Sequence, residues 1–236
     1  MIFQENPKGD IILQNKVIVK EKTLQENMYY KDHLVLKYVI NYPQFISDDF
    51  ETLLMKLNGY YKTKAYMYLK TNVMNLYQMS MVEYEYSVAN QYPIRTYEAY
   101  VNYEVTYNQN CALSLYFDQY EYAGGAHGLT VRSSDTWELN KSKRMELCEL
   151  FPGRKCREHI IKQIDTMIAE EFAKGNQVYF DDYSQLVEKS YKGNQFYLTP
   201  EGVVIYFQHY DIAPYSTGIP TFTLPYSPSG PIEPRC

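Results

Sequence analysis

No apolar run in this chain of 236 residues approaches the ~20 that cross a bilayer, so no helical membrane span is expected. Charge is also scarce: 22% of residues are charged, the net charge is −5, and Lys and Arg are scattered. The basic footprint that neutralises phosphates is missing, which argues against nucleic-acid binding. The four histidines, His33, His127, His159 and His209, are dispersed, and none lies in a His-Glu-x-x-His helix. No metal site and no cofactor are therefore expected. Neither a Gly-x-Ser-x-Gly elbow nor a Gly-x-x-x-x-Gly-Lys phosphate loop is present, so the common hydrolase and nucleotide readings lack their anchor. His127, Ser133, Ser134 and Asp135 supply the residue types of a triad without its spacing, and read as chance assortment. Carboxylate pairs such as Asp48-Asp49, Glu170-Glu171 and Asp181-Asp182 fall at caps, helix faces and loops, as solvated charges do. The first residues, Met1 to Lys8, contain neither a basic n-region nor an apolar h-region, so no secretory signal is read there.

Cysteine is sparse, and the spacing of Cys111, Cys148, Cys156 and Cys236 matches no zinc motif. The four read as reduced structural thiols, with a Cys148 to Cys156 bridge open to a protein working outside the cell.

Tyrosine is abundant. The 45% hydrophobic share includes 27 tyrosines, so tyrosine must form part of the core and much of the surface. A chain this aromatic, without a polar tract, is globular rather than disordered.

No internal repeat or low-complexity linker divides the sequence. Ile11 to Lys20 and residues 33 to 42 read as strands, the second alternating Leu34, Leu36, Tyr38, Ile40 and Tyr42 on one face. Pro43 lacks a ladder donor, so this strand should end there or lie at an edge. A helix begins near residue 48, carries Phe50, Leu53, Leu54 and Leu57 on one face, and runs to Met81 either unbroken or broken once at Asn58-Gly59. Tyr97 to Tyr107 is the clearest strand, joined through Asn108-Gln109-Asn110 to another bearing Cys111, Leu113, Leu115 and Phe117. Leu129 to Leu139 and a short run through Met145 and Leu147 complete a twisted antiparallel meander. Ile160, Ile161, Ile164, Met167, Ile168 and Phe172 form the apolar face of a second helix, which closes at Gly175. Residues 176 to 194 read as a loop. A hairpin follows at 196 to 207, then a strand from Ile219 to Tyr226 and a loose Pro-rich tail.

The fold class is therefore α+β: a twisted antiparallel sheet packed by one long N-terminal helix and one amphipathic helix in the C-terminal half. The domain reading is an arm at 1–10, a single unit at 11–226 with halves at about 11–140 and 141–226, and a tail at 227–236.

Two segments depart from strand or helix patterning. In Tyr122-Ala123-Gly124-Gly125-Ala126-His127-Gly128, three glycines permit positive φ or close backbone approach, and His127 donates or accepts. In Tyr210-Asp211-Ile212-Ala213-Pro214-Tyr215-Ser216-Thr217-Gly218, Pro214 and Gly218 shape an irregular connection rich in hydroxyls. The bland readings are a glycine-built bulge and a packed crossover loop whose Asp211 ties down backbone amides. The functional reading takes Gly124, Gly125, His127, Gly128, Asp211, Pro214, Tyr215, Ser216 and Gly218 as ligand-binding positions.

These two segments, with Trp137-Glu138-Leu139, Leu147-Cys148-Glu149-Leu150-Phe151, the run from Phe196 to Gly202 and Asn41-Tyr42-Pro43-Gln44, resemble in order the PdaC/RsiV-like domain family. The resemblance covers about residues 11 to 226. It implies an α+β fold and a non-enzymatic binding module outside the membrane, since the family includes the lysozyme-binding part of RsiV-type anti-sigma factors and the non-catalytic region of PdaC-type peptidoglycan deacetylases. Lysozyme, another cell-wall-associated protein or a glycan is the implied partner. The chain carries no sigma-binding segment and no deacetylase domain, so signalling and deacetylation do not transfer. Two readings compete with the envelope module. The Tyr-rich composition suits a structural protein of a spore coat or surface layer, and a cleft pairing His127 with Asp135 or Asp211 would suit a hydrolase.

Overall fold

The computed structural model describes residues 4–5, 11–12, 17–153 and 155–236. The strand expected over Ile11 to Lys20 lies partly outside these residues. Its described parts are β2 (Ile11–Ile12), which pairs antiparallel with β1 (Gln4–Glu5), and the start of β3 (Ile18–Tyr30).

The chain divides into two compact units. One is built from Ile18–Tyr103 and Phe117–Val131, and the other contains Val17, Glu104–Tyr116 and Arg132–Cys236. The division is interleaved along the sequence because β5 (Tyr97–Gln109), β6 (Ala112–Tyr122) and β7 (Leu129–Glu138) each contribute residues to both.

In the first unit, β3 and β4 (His33–Ile46) form a long antiparallel hairpin. Its turn residues Lys31 and Asp32 both have positive φ, 46° and 63°, the twist that two-residue hairpins require. The β4 strand runs through Pro43 to Ile46, because β5 pairs in parallel with β4 only from Leu36 to Ile40. Pro43, paired with Glu21 on β3, therefore faces no ladder donor demand on its other side. This parallel step departs from a pure antiparallel meander, and a crossover helix supplies the connection that parallel strands need.

That crossover is α1 (Glu51–Tyr68), a π-helical turn at Leu69–Val73, and α2 (Met74–Asn90). Its buried stripe passes through Leu54, Leu57, Tyr61, Ala65 and Tyr68, then Val73, Leu76, Ser80, Tyr84 and Ser87. Steps of three and four give way to one long step between Tyr68 and Val73, at the π turn. The extra residue is absorbed there, so the stripe keeps facing the core. Asn58-Gly59 breaks nothing. An added side-chain atom at Gly59 would meet open space, and the Asn58 carboxamide bonds both the N–H and the C=O of Phe45, at 2.7 and 2.9 Å. The Tyr61 ring lies 5.7 Å from that of Phe45 and 5.4 Å from that of Phe117.

In the second unit, β9 (Phe196–Thr199), β10 (Gly202–Tyr206) and β11 (Thr221–Pro225) form a three-stranded antiparallel sheet in the order β11-β10-β9. Helix α3 (Cys156–Ala173) packs Ile160, Ile164 and Ile168 into one core with Leu198, Val203, Ile205, Phe222 and Leu224. Gly202 is required by close approach: an added Cβ would stand 2.2 Å from the Leu224 carbonyl oxygen. The segment expected as loop holds a helix, α4 (Tyr183–Ser190), whose Val187 is fully buried. Its eight residues are too few for periodicity to declare, and packing against α3 stabilises it. Strand β8 (Lys143–Arg144) pairs with the end of β7, and a single 3₁₀ turn covers Leu147–Leu150.

Polar bonds stitch this sheet to β6 and β7. Ser114, with no exposed surface, accepts from Leu198 N–H at 2.9 Å and bonds the Thr136 hydroxyl at 2.7 Å. Ser134 donates to Phe196 O at 2.5 Å, and the Gln208 carboxamide bonds both main-chain groups of Arg132, at 2.9 and 2.7 Å.

Two sequence expectations are corrected here. The cysteines are paired, Cys111 with Cys236 and Cys148 with Cys156, and no described cysteine is a free thiol. The C-terminal tail is also docked rather than loose. Ile232 N–H donates to Leu150 O at 2.7 Å, Pro231 and Pro234 are buried, and Glu233 accepts from both Tyr107 Oη at 3.0 Å and Asn110 Nδ2 at 3.1 Å. Spacing could not reveal the first bridge, because its two cysteines are 125 residues apart. The turn carrying Cys111 is Asn110-Cys111, with φ of 52° and 54°, one residue later than the sequence pattern suggests.

Replacing Cys111 and Cys236 by serine should lower stability more than the same change at Cys148 and Cys156, by about 2 kcal/mol, because the loops closed span 125 and 8 residues. Denaturant unfolding of the two double variants measures the difference.

Burial pushes the Tyr107 phenol from its usual 10 up to about 12. The folded state therefore keeps a proton that the unfolded chain loses first. The stability this group contributes should be complete below pH 10 and decline as pH rises to about 12. Unfolding measured across that window should show a shallower decline in Tyr107→Phe.

Candidate functional site

The two irregular segments belong to different units. The first, joining β6 to β7, is fastened from several sides. The Arg95 guanidinium donates to the Gly124 carbonyl, Tyr122 Oη donates to Gly125 O at 3.1 Å, and His127 Nδ1 lies 2.9 Å from Gly128 O. Gly124 has φ of 79°, and a Cβ there would crowd the Tyr97 ring at 3.2 Å. Gly128 is buried under Tyr120, whose ring atoms would lie 2.4 Å from an added Cβ and whose ring stacks on Tyr100 at 6.0 Å. These glycines thus serve close packing, while Gly125, Ala126 and His127 form the exposed tip. Arg95 and Tyr120 were not identifiable from local spacing, since Arg95 reaches a residue 29 positions away.

The second segment lies between β10 and β11. Asp211 Oδ2 accepts from Gln208 N–H at 2.9 Å, while Asp211 N–H returns to Gln208 O at 3.1 Å, the amide-tying role expected of it. Tyr215 begins a short 3₁₀ turn (Tyr215–Thr217) and stacks on His209, with ring centroids 4.7 Å apart and planes at 25°. Gly218 closes that turn with φ of 79°. Thr217 donates to Val178 O at 2.8 Å, and Phe180 N–H donates to Ile212 O at 3.1 Å. Anchored this way, the segment exposes Pro214 and Ser216. His209 and Gln208 escaped the sequence reading, because their roles arise from side chains folded back on the turn.

Asp135 and Ser134, considered for a triad, have structural partners of their own. Arg144 Nη2 pairs with Asp135 Oδ1 at 2.7 Å, and the Asp135 side chain is 4% exposed. Ser134 is held by Phe196 O and lies 3.1 Å from Tyr206 Oη. No cluster of three or more His, Cys, Asp or Glu side chains with ligand geometry occurs among the described residues.

Residues 30–130 match the family described as "Deacetylase PdaC", and residues 150–227 match the "Protein of unknown function (DUF3298)" family. The peptidoglycan-N-acetylmuramic acid deacetylase PdaC of Bacillus subtilis (strain 168) is 21% identical over 129 residues, which is 53% of this chain and 27% of that protein. The chain therefore spans about a quarter of the length of this relative. A crystal structure of a DUF3298 family member from Bacteroides fragilis has a TM-score of 0.72 at 18% identity, covering 90% of this chain and 92% of the other. A second, from Pseudomonas aeruginosa PAO1, has a TM-score of 0.51 at 17% identity, covering 92% of each. At these identities the likeness to the solved structures is one of fold. A PdaC-type region leading into a DUF3298 region, on the α+β fold of a DUF3298 family member, supports a PdaC/RsiV-like domain over residues 30–227.

Proposed function

We propose that the chain is a non-catalytic binding module of the bacterial envelope, working outside the cytoplasm, whose ligand is lysozyme or a peptidoglycan glycan. The observation that carries this reading is the pairing of all four cysteines, an economy suited to an oxidising compartment. The relative named for peptidoglycan N-acetylmuramic acid supports the cell-wall association. Asp135 and Asp211, engaged by Arg144 and by the Gln208 amide, support binding over hydrolysis.

Both irregular segments suit recognition, because backbone anchoring lowers the entropy lost when a loop is immobilised by a ligand. A glycosidase cleft carries two carboxyl groups, and a loop presenting hydrogen-bond donors would occlude it. His127 on one segment, and Tyr215 and Ser216 on the other, supply such donors.

Calorimetric titration with hen-type lysozyme, and separately with a soluble muropeptide, at low and moderate salt tests this reading. Saturable one-to-one binding that survives moderate salt is expected for one of them. Replacing His127, Tyr215 and Ser216 together by alanine should weaken it roughly tenfold or more. Absence of binding to both, loss of binding at moderate salt, or a triple variant that binds unchanged would overturn the proposal.

A further inference from the structure

The second unit presents a sheet edge beside a helix. Strand β11 pairs with β10 and has no second neighbour in its sheet. Phe207 N–H donates to Pro220 O at 3.0 Å, whereas Tyr206 N–H donates to Gln195 O at 3.2 Å. Antiparallel alternation therefore directs the main chain of Phe222 and Leu224 toward β10, and that of Thr221 and Thr223 toward the open edge.

Helix α3 runs alongside. One of its flanks is occupied by α4: Arg157 Nη2 donates to Glu188 O at 2.8 Å, Ser184 donates to Asp165 Oδ2 at 3.0 Å, and Phe172 stacks on Tyr183 at 5.3 Å. The opposite flank carries Lys162, Gln163, Thr166 and Met167, neighbours at helical spacing. With His159, Thr223, Leu224 and Pro225 these enclose a groove of about 510 Å³, within the usual range for ligand clefts. Met167 and Pro225 give it an apolar wall. No carboxylate lines it, although the chain as a whole carries a net charge of −5. Lys162 is its cation, exposed, with no ion-pair partner among the described residues.

An open strand edge facing a helix flank across an apolar cleft is an arrangement that captures extended peptides by strand addition, with main-chain bonds giving affinity and side-chain pockets giving choice. We propose that this groove binds an extended acidic segment of a partner protein as a fourth strand on β11. The segment bonds the Thr223 N–H and C=O, sets an apolar side chain against Met167 and Pro225, and places a carboxylate at Lys162 and Gln163. The charge of the groove selects the acidic segment: a basic one would leave Lys162 opposite a like charge.

The probe is a fluorescein-labelled heptapeptide of alternating valine and glutamate, followed by anisotropy with the full chain. A lysine-for-glutamate version, a version N-methylated at alternate amides and an unlabelled chitooligosaccharide serve as comparisons. The acidic peptide should bind saturably and slow hydrogen exchange at the Thr223 amide. The lysine and N-methylated versions should each bind about tenfold more weakly or worse, and Lys162→Glu should lower affinity for the acidic peptide by a similar factor. No saturable binding, equal binding of the acidic and basic peptides, or unchanged Thr223 exchange would overturn the proposal. Displacement of the peptide by the oligosaccharide would overturn it too, by assigning the groove to a glycan.

Discussion

A single buried hydroxyl organises the second unit. Ser114 lies on β6, yet it accepts the Leu198 amide of β9 and bonds Thr136 of β7. Removing it would leave a buried main-chain donor unsatisfied, a loss of about 1–3 kcal/mol and more than the bond itself contributes. The other polar ties run beside it: Ser134 to Phe196 O, and the Gln208 carboxamide to both main-chain groups of Arg132. Gln208 is also the residue whose amide Asp211 holds, so the bonds that attach the small sheet to β7 also set the course of the segment from Tyr210 to Gly218. A buried network of this kind rewards one register and penalises every slip, because each displaced group becomes an unpaired polar atom.

The C-terminal residues extend the same logic by covalent means. The Cys111–Cys236 bridge, the Tyr107–Glu233 hydrogen bond and the Ile232 amide on Leu150 O fasten the tail at several points. Three prolines in this stretch remove main-chain donors and limit the unfolded chain, so few hydrogen bonds suffice to order it. Composition that reads as a loose end in sequence is compatible with a docked strap once a crosslink supplies the ordering.

Much of the fold was legible because its signals are local. Alternation from Tyr97 to Tyr107 located β5, and the spacing of Ile160, Ile164 and Ile168 located α3. The long helix was recognised from residue composition, but its full length and its π turn were not. The step between Tyr68 and Val73 makes sense only when the sheet beneath it is known. Helix α4 was missed because eight residues carry little periodic signal and depend on α3 for stability. In the candidate segments, Gly124 and Gly218 have the positive φ, and Gly128 the close approach, that glycine permits, and Asp211 has the amide-tying role read for it. Their distant partners were out of reach of spacing: Arg95 and Tyr120 for the first segment, and Val178 and Arg132 for the second.

The sequence by itself determined the α+β class, the main elements and the order of motifs that mark the family, because side-chain periodicity, turn chemistry and motif spacing are properties of neighbours in the chain. Only the tertiary structure decided the parallel step between β4 and β5, the Cys111–Cys236 bridge, the docking of the tail and the open edge of β11 beside α3. Each of these joins residues far apart in sequence. Which distant groups meet is set by the packing that buries them together, and no local pattern encodes that choice.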